Sequence, residues 1–241
     1  MEFITIKTRA FIPPKDNLFN LIDEYLTDIK ENDILVITSK ILAIHQGRCI
    51  KIDSSINKKE LIFSEADAYI TTSHIPKHEF TLTIKDHTLI ASAGIDESNA
   101  DGYYILWPKN IIESLIEVHK YITEKYKIKN LGIITTDSHC VPMRRGVTGI
   151  SIGFYGFDPL YDYVGKKDIF GRELKFTKTN IVDAISAMAV MIMGEGSEST
   201  PMLIARDIPL IKFNNEDKSK ELFMEPKEDM FFPILDIFKR P

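Results

Sequence analysis

Leu131 to Thr136 reads LGIITT, a short, apolar, β-branched run bounded by a Lys-Asn turn before it and polar residues after it. That pattern predicts a buried strand, which needs a sheet neighbour on each side and cover on both faces. The residues after it constrain the chemistry as well as the fold. The run leads into Asp137 and Ser138, then His139 and Cys140, then the basic pair Arg144 and Arg145. Open sheets place ligands where strand ends meet loops. A carboxylate beside a hydroxyl offers hard oxygen ligands to a metal ion, and two guanidiniums offer planar donors to phosphate. The competing reading is a polar turn with Asp137 as turn former.

The remaining elements mix strands and helices without strict βαβ alternation, which predicts an α+β fold of mixed sheets with packed helices. Strands are expected at Phe3 to Thr8, Ile34 to Thr38, Gly47 to Ile52, Ile150 to Phe154 and Met202 to Ala205. Phe80 to Ile84 and Thr88 to Ala91 read as a hairpin closed by Lys85, Asp86 and His87. Leu18, Leu21, Ile22, Tyr25, Leu26 and Ile29 recur at helical spacing, with Asp16 as the expected N-cap. Asn57 to Asp67 reads as a short helix. Ile111, Leu115, Val118, Ile122 and Tyr126 form the stripe of another, with Pro108 as its expected first residue and His119 as a surface or satisfied histidine. Asn180 and Asp183 cap a nearly all-apolar helix, Ile181 to Met193, buried within this subunit or between subunits. A terminal helix is expected within Leu222 to Phe238. No boundary divides residues 1–241, which are read as one catalytic unit.

Composition excludes several classes. The net charge is −5, from 30 basic and 35 acidic residues, so no general affinity for nucleic acid or membrane is expected. Two cysteines, Cys49 and Cys140, give neither a disulfide framework nor a metal motif, as expected of a cytoplasmic protein. The longest strongly apolar run, Ala184 to Met193, is too short to span a bilayer. No glycine-rich phosphate loop of the GxxxxGK[ST] type is present. Cys140 beside His139 makes a poor nucleophile and base, because adjacent residues on extended chain point oppositely.

Two further polar loops complete the set of candidates. Ser39-Lys40 follows the second strand and presents a hydroxyl and an ammonium. Gly94-Ile-Asp-Glu-Ser-Asn99 carries Asp96 and Asn99.

The segments SAGIDESN, IITTDSHCVPMRRGVTGISIGFYG, GKKDIFGREL and MGEGSESTP occur in that order. Together they resemble the γ-glutamyl ligases that add glutamate to the precursor of the deazaflavin coenzyme F420, over a stretch from about Asp33 onward. The resemblance implies an unusual α+β fold forming an intertwined homodimer. It also implies GTP as substrate nucleotide, two divalent sites for magnesium or manganese, and a potassium ion. Asp96 and Asp137 would hold one metal, and Ser138 with Glu195 of the Gly194-Glu195-Gly196 loop a second. Ser39, Lys40, Asn99 and the loop from Gly194 would touch the nucleotide. Asp96, Asp137, Arg144 and Arg145 are the residues expected to carry catalysis. The small-molecule partners would be L-glutamate and a carboxylate acceptor.

That chemistry fits the residues. Amide formation needs an activated acid, which a nucleoside triphosphate supplies as an acyl phosphate; the protein must neutralise phosphate charge and align the groups. The sequence departs from the family where AIHQGR, with Ile44, His45 and Gln46, lacks a second lysine, and where the segment between Arg48 and Phe80 is short. These departures leave the acceptor open between a deazaflavin and a folate or dihydropteroate. A nucleotide-binding homologue without catalysis and a metal-dependent kinase are the other classes.

Overall fold

The structure, a computed structural model, describes residues 1–70 and 80–240. Part of the short segment before Phe80 therefore lies outside the described residues. In chain order the elements are β1 (Glu2–Ile6), α1 (Leu18–Tyr25), β2 (Asp33–Thr38), α2 (Ser39–His45), β3 (Cys49–Lys51), α3 (Lys58–Glu65), β4 (Ala68–Tyr69), β5 (Leu82–Lys85) and β6 (Thr88–Ala91). They continue with β7 (Tyr103–Ile105), α4 (Ile111–Tyr126), β8 (Leu131–His139), β9 (Thr148–Tyr155), β10 (Leu160–Asp162), β11 (Lys178–Asn180), α5 (Ile181–Met193), β12 (Met202–Arg206), α6 (Ser219–Leu222) and α7 (Phe232–Leu235). The fold is mixed α+β, as the sequence predicts.

The central sheet runs β1-β12-β2-β8-β9. Only β2 and β8 are parallel, with Thr38 opposite Thr136 at their C-terminal ends. Residues on β2 alternate between two cores. Leu35 and Ile37 pack with Leu18, Leu21, Leu42, Leu115 and Val118 on one face, while Ile34 and Val36 pack with Val182, Ile185 and Ala189 of α5 on the other. Helices on both faces explain why these strands read as continuous apolar runs. Each fully buried leucine or isoleucine contributes about 1.5–3 kcal/mol relative to exposure. Helix α5 lies so close on β9 that a Cβ on Gly149 would stand 2.2 Å from the Ser186 carbonyl oxygen. One side of α5 nevertheless faces outward: Met188 and Met191 are exposed. Outside the central sheet, β3 pairs with β7, β10 with β11, and β4, β5 and β6 form a small sheet. No helix among the described residues is long and apolar enough to cross a membrane.

Several local expectations are corrected. Strand β8 runs three residues beyond Thr136, because Asp137, Ser138 and His139 pair with Ile150, Gly149 and Thr148. Ser39 and Lys40 stand at a helix edge, forming the first turn of α2 directly after β2. Asn17, not Asp16, caps α1, its side chain accepting from the N–H groups of Phe19 and Asn20. Helix α4 starts at Ile111, three residues after Pro108. His119 is buried edge-on against Tyr155, and burial pulls its pKa down. The terminal helix expected within Leu222 to Phe238 is present as the four-residue α7, and a second short helix, α6, precedes it.

Candidate active site

Because β2 and β8 are parallel, both C-terminal ends open on the same edge of the sheet. That edge borders a cavity of about 330 Å³. Thr38 to Ile41 and Thr136 to Ser138 contribute from the two strand ends, Gly94 to Asn99 from a neighbouring loop, and Thr8 to Phe11 from the segment after β1. Gly194 to Pro201, following α5, supplies the remaining polar wall. Phe11, Ile41, Ile44, Ile105, Leu106 and Trp107 make the apolar part.

Each polar group is placed by backbone structure. Asp96 is pinned to β7, its N–H and carbonyl bonded to Ile105 at 3.0 and 2.8 Å. Its side chain accepts from Ser98 N (2.7 Å) and Ser98 Oγ (3.0 Å). Lys40, in the first turn of α2, sets Nζ 2.7 Å from Asp96 Oδ2 and donates to Ser98 O at 2.5 Å. Asp137 is held by Ser39 Oγ (3.0 Å) and its neighbour's N–H at Ser138 (2.7 Å). Asn99 Nδ2 donates to Gly196 O at 2.9 Å, tying two walls together. Thr136 Oγ1 is buried at the cavity without a hydrogen-bond partner, a slot for a ligand or water oxygen.

The electrostatics are lopsided. Asp96, Asp137, Glu195 and Glu198 face the cavity, against Lys40 and an Arg9 already held by Asp16 at 2.5 Å. Burial pushes the Asp137 carboxyl up to about 6, and the Asp96 charge adds to this against the opposing pull of Ser138, Ser39 and Lys40. Burial acts upward on Asp96 too, but Lys40 and Ser98 bring it below the usual range. Glu195 is raised by partial burial and then by Asp96. Surplus negative charge is the electrostatics of a site that receives cations. Among the described residues, no three His, Cys, Asp or Glu side chains form a ready-made cage. The available donors are instead a few carboxylates and hydroxyls, which suits ions that take their remaining ligands from phosphate and water.

Ser39, Lys40, Asp96, Asn99, Asp137, Ser138, Gly194, Glu195 and Gly196, scattered over the chain, are thus brought together. Arg144 and Arg145 are not: they sit in the exposed turn between β8 and β9, outside the cavity lining. Sequence reading passed over Thr8, Thr38, Thr136 and Glu198. Glu198 lies inside the MGEGSESTP segment and could have been found there. The departures at 45 and 46 have structural roles. His45 Nδ1 accepts from Leu18 N at 3.2 Å, and Gln46 bonds both backbone groups of Lys109. Neither lines the cavity, whereas Ile44 does.

Residues 6–207 match the family described as F420-0:Gamma-glutamyl ligase. The coenzyme F420:L-glutamate ligase of Methanocaldococcus jannaschii is 34% identical over 232 residues, covering 89% of this chain and 90% of that protein. The protein of the same description from Methanococcus maripaludis strain C7 is 33% identical over 245 residues, covering 96% and 97%. That of Methanopyrus kandleri is 30% identical over 240 residues, covering 91% and 93%.

Proposed function

Because the chain belongs to the F420-0:γ-glutamyl ligase family, we propose that it joins L-glutamate by an amide bond to a carboxylate of the coenzyme F420 precursor. GTP activates that carboxylate as an acyl phosphate. The observation that carries this reading is the convergence of Asp96, Asp137, Ser138, Lys40 and the Gly194–Gly196 loop on one cavity with excess negative charge.

In this proposal Asp96 and Asp137 would hold one divalent cation and Ser138 with Glu195 a second, and the chemistry such ions would supply there is neutralisation of phosphate charge. The protein's own groups do the rest. Ser39 orients the Asp137 carboxylate. Lys40 lies on Asp96 in the ligand-free chain and can turn its ammonium to a phosphate oxygen once a cation takes that carboxylate. In the Gly194–Gly196 loop, Gly194 N–H caps α5 on Val190 O and Gly196 N–H is held by Glu198, so a ligand oxygen would take the Gly196 N–H by displacing that side chain. The apolar wall from Phe11 to Trp107 excludes water from a mixed anhydride that water would otherwise hydrolyse. As the amide forms, the attacking amine gives up a proton to the departing phosphate, which leaves as the acyl–oxygen bond breaks.

At about 330 Å³ the cavity suits one small ligand rather than nucleotide, acceptor and glutamate together. The outward faces of Met188 and Met191 offer apolar surface for a second copy. Both support an obligate homodimer that completes the walls. Arg144 and Arg145 have no role within one chain in this scheme.

The test is glutamate-dependent release of phosphate from GTP, run over deazaflavin and pterin acceptors and read by mass spectrometry. A product heavier than the deazaflavin acid by one glutamyl residue is the expected result. Glutamylation of pterin acids alone would move the acceptor. A phosphorylated product formed without glutamate would replace the ligase by a kinase.

A further inference from the structure

The Glu198 carboxylate is folded back onto the loop that carries it. Its Oε2 accepts from the backbone N–H of Gly196 at 2.8 Å. Gly194 has φ +82°, and a Cβ there would stand 2.5 Å from the Glu198 carboxyl carbon. At Gly196 a Cβ would meet Oε2 at 3.3 Å. The two glycines therefore let a carboxylate lie against bare main chain. The Gly196 N–H laid open in this way is a seat for an anionic oxygen, and here the chain's own side chain fills it.

That occupant is weakly anchored. Among the described residues no lysine or arginine is paired with Glu198, and it shares the cavity with Asp96, Asp137 and Glu195. Lys40, the lysine of the cavity wall, lies on Asp96 instead. The seat is also held where a ligand can reach it. Asn99 Nδ2 bonds Gly196 O, and Thr8 N bonds Ser199 O at 2.9 Å, so both sides of the loop are fixed to other walls.

We propose that Glu198 is an internal competitor for an oxyanion seat, occupying it in the empty protein and displaced from it by a substrate oxygen. This rests on the reading of the cavity as a nucleotide and glutamate site. The displacing oxygen belongs to a phosphate or to the carboxylate of the amino acid, since both offer the same acceptor geometry. Two exchanges then accompany loading: Glu198 leaves Gly196 N, and Lys40 leaves Asp96.

The experiment is calorimetric titration of the full chain, without metal, using inorganic pyrophosphate in one arm and L-glutamate in the other. The variants are Glu198→Ala, Glu198→Gln and Glu195→Ala, each with a melting curve. Glu195→Ala removes the same charge from the cavity but leaves the seat filled. Glu198→Gln keeps an oxygen acceptor on the seat. Emptying the seat should tighten binding about tenfold, equivalent to about 1.4 kcal/mol. Glu195→Ala should gain only about two- to threefold by lost repulsion, and Glu198→Gln should fall between. A gain with pyrophosphate assigns the seat to the nucleotide, and a gain confined to L-glutamate assigns it to the amino acid. Equal gains for Glu198→Ala and Glu195→Ala in both arms would overturn the seat while leaving the ligase reading intact. A wild-type chain that binds neither pyrophosphate nor GTP with magnesium would overturn both.

Discussion

Two aspartates sit at opposite ends of the same parallel strand pair, and their surroundings differ in one respect. Asp33 opens β2 at 1% exposure and has its counter-ion built in: Arg206 Nε and Nη2 bond its two oxygens at 2.8 Å each, and Lys30 N adds a third bond at 2.7 Å. Asp137, on β8 just past the parallel pairing with β2, has one hydroxyl and one neighbouring N–H, and no ammonium or guanidinium among the described residues bonds it. The first carboxylate is complete without a ligand. The second is buried without a counter-ion, and burial first, then the Asp96 charge, carries its pKa up to about 6. A buried acid without a cation is costly unless something supplies one, so the pair separates a structural carboxylate from one poised for a ligand.

Asp33→Ala should give the largest effect. It takes from the Arg206 guanidinium, whose side chain is 14% exposed, its buried partner, leaving only the exposed Asp28 contacts, and it leaves the Lys30 N–H unpaired. Losing one partner of such a pair costs about 3–5 kcal/mol. For a chain of this size that lowers Tm by about 6–10 °C. Any enzyme that remains folded should turn over normally. A small Tm shift would show that the contrast between the two ends is false.

Asp137→Asn should invert that pattern. Asparagine keeps the shape and one acceptor but removes the charge that attracts cations. Turnover should fall by about a hundredfold or more, about 3 kcal/mol of transition-state stabilisation. The ligand-free melting temperature should hold or rise, because repulsion from Asp96 is gone. Near wild-type turnover, or outright unfolding, would make Asp137 a structural residue like Asp33.

The pH dependence sharpens the point without relying on catalysis. Asp137 titrates near 3.8 when unfolded and near 6 when folded. The folded state therefore binds the extra proton between those values. The stabilising contribution is fully present below about pH 3.8 and is lost as pH rises through about 6. A shift of that size corresponds to at most about 3 kcal/mol, and solvent at the cavity mouth reduces it to about 1–2. The stability difference between Asp137→Asn and wild type should thus grow in favour of the mutant from pH 4 to pH 7.5. Adding manganese at pH 7.5 should stabilise only the wild type. A flat difference profile would remove the strained carboxylate from the account.

The legibility of each feature in the sequence depends on the range of the interaction behind it. The apolar run of β8 was plain, but its extension to His139 depends on pairing with Thr148 to Ile150, which local pattern does not reveal. The start of α2 at Ser39 was hidden because a hydroxyl and a lysine read equally well as loop. Asn17 and Asp16 are both good caps by type, but the Asp16 carboxylate is engaged by Arg9 and by the N–H groups of Ile12 and Asn17. Motif resemblance gathered Asp96, Asp137 and Glu195, whereas Thr136 depends on a strand end opposite Thr38. Arg144 and Arg145 look like phosphate ligands by type, yet their turn carries them away from the cavity.

Asp16 makes the finest test, because it is a counter-ioned carboxylate like Asp33 but stands at the rim of the site. It accepts from Arg9 Nη1 and Nη2 at 2.5 and 3.0 Å, and from the N–H groups of Ile12 and Asn17 at 3.1 and 2.7 Å. The Arg9 contact is the chief reason its pKa falls to about 2. Its contribution is present above about pH 3.8 and lost as pH falls through about 2, the reverse of Asp137. Arg9 is one-third exposed, so Asp16→Asn should cost only about 1 kcal/mol, or about 2–4 °C in Tm. The segment it braces, Thr8 to Phe11, lines the cavity. Loosening that wall should raise KM for GTP a few-fold with kcat nearly unchanged, since no bond to Asp137 or Asp96 is touched. If kcat instead collapsed as in Asp137→Asn, Arg9 would be acting on the ligand. The line between carboxylates with internal partners and carboxylates awaiting one would then have to be redrawn through this loop.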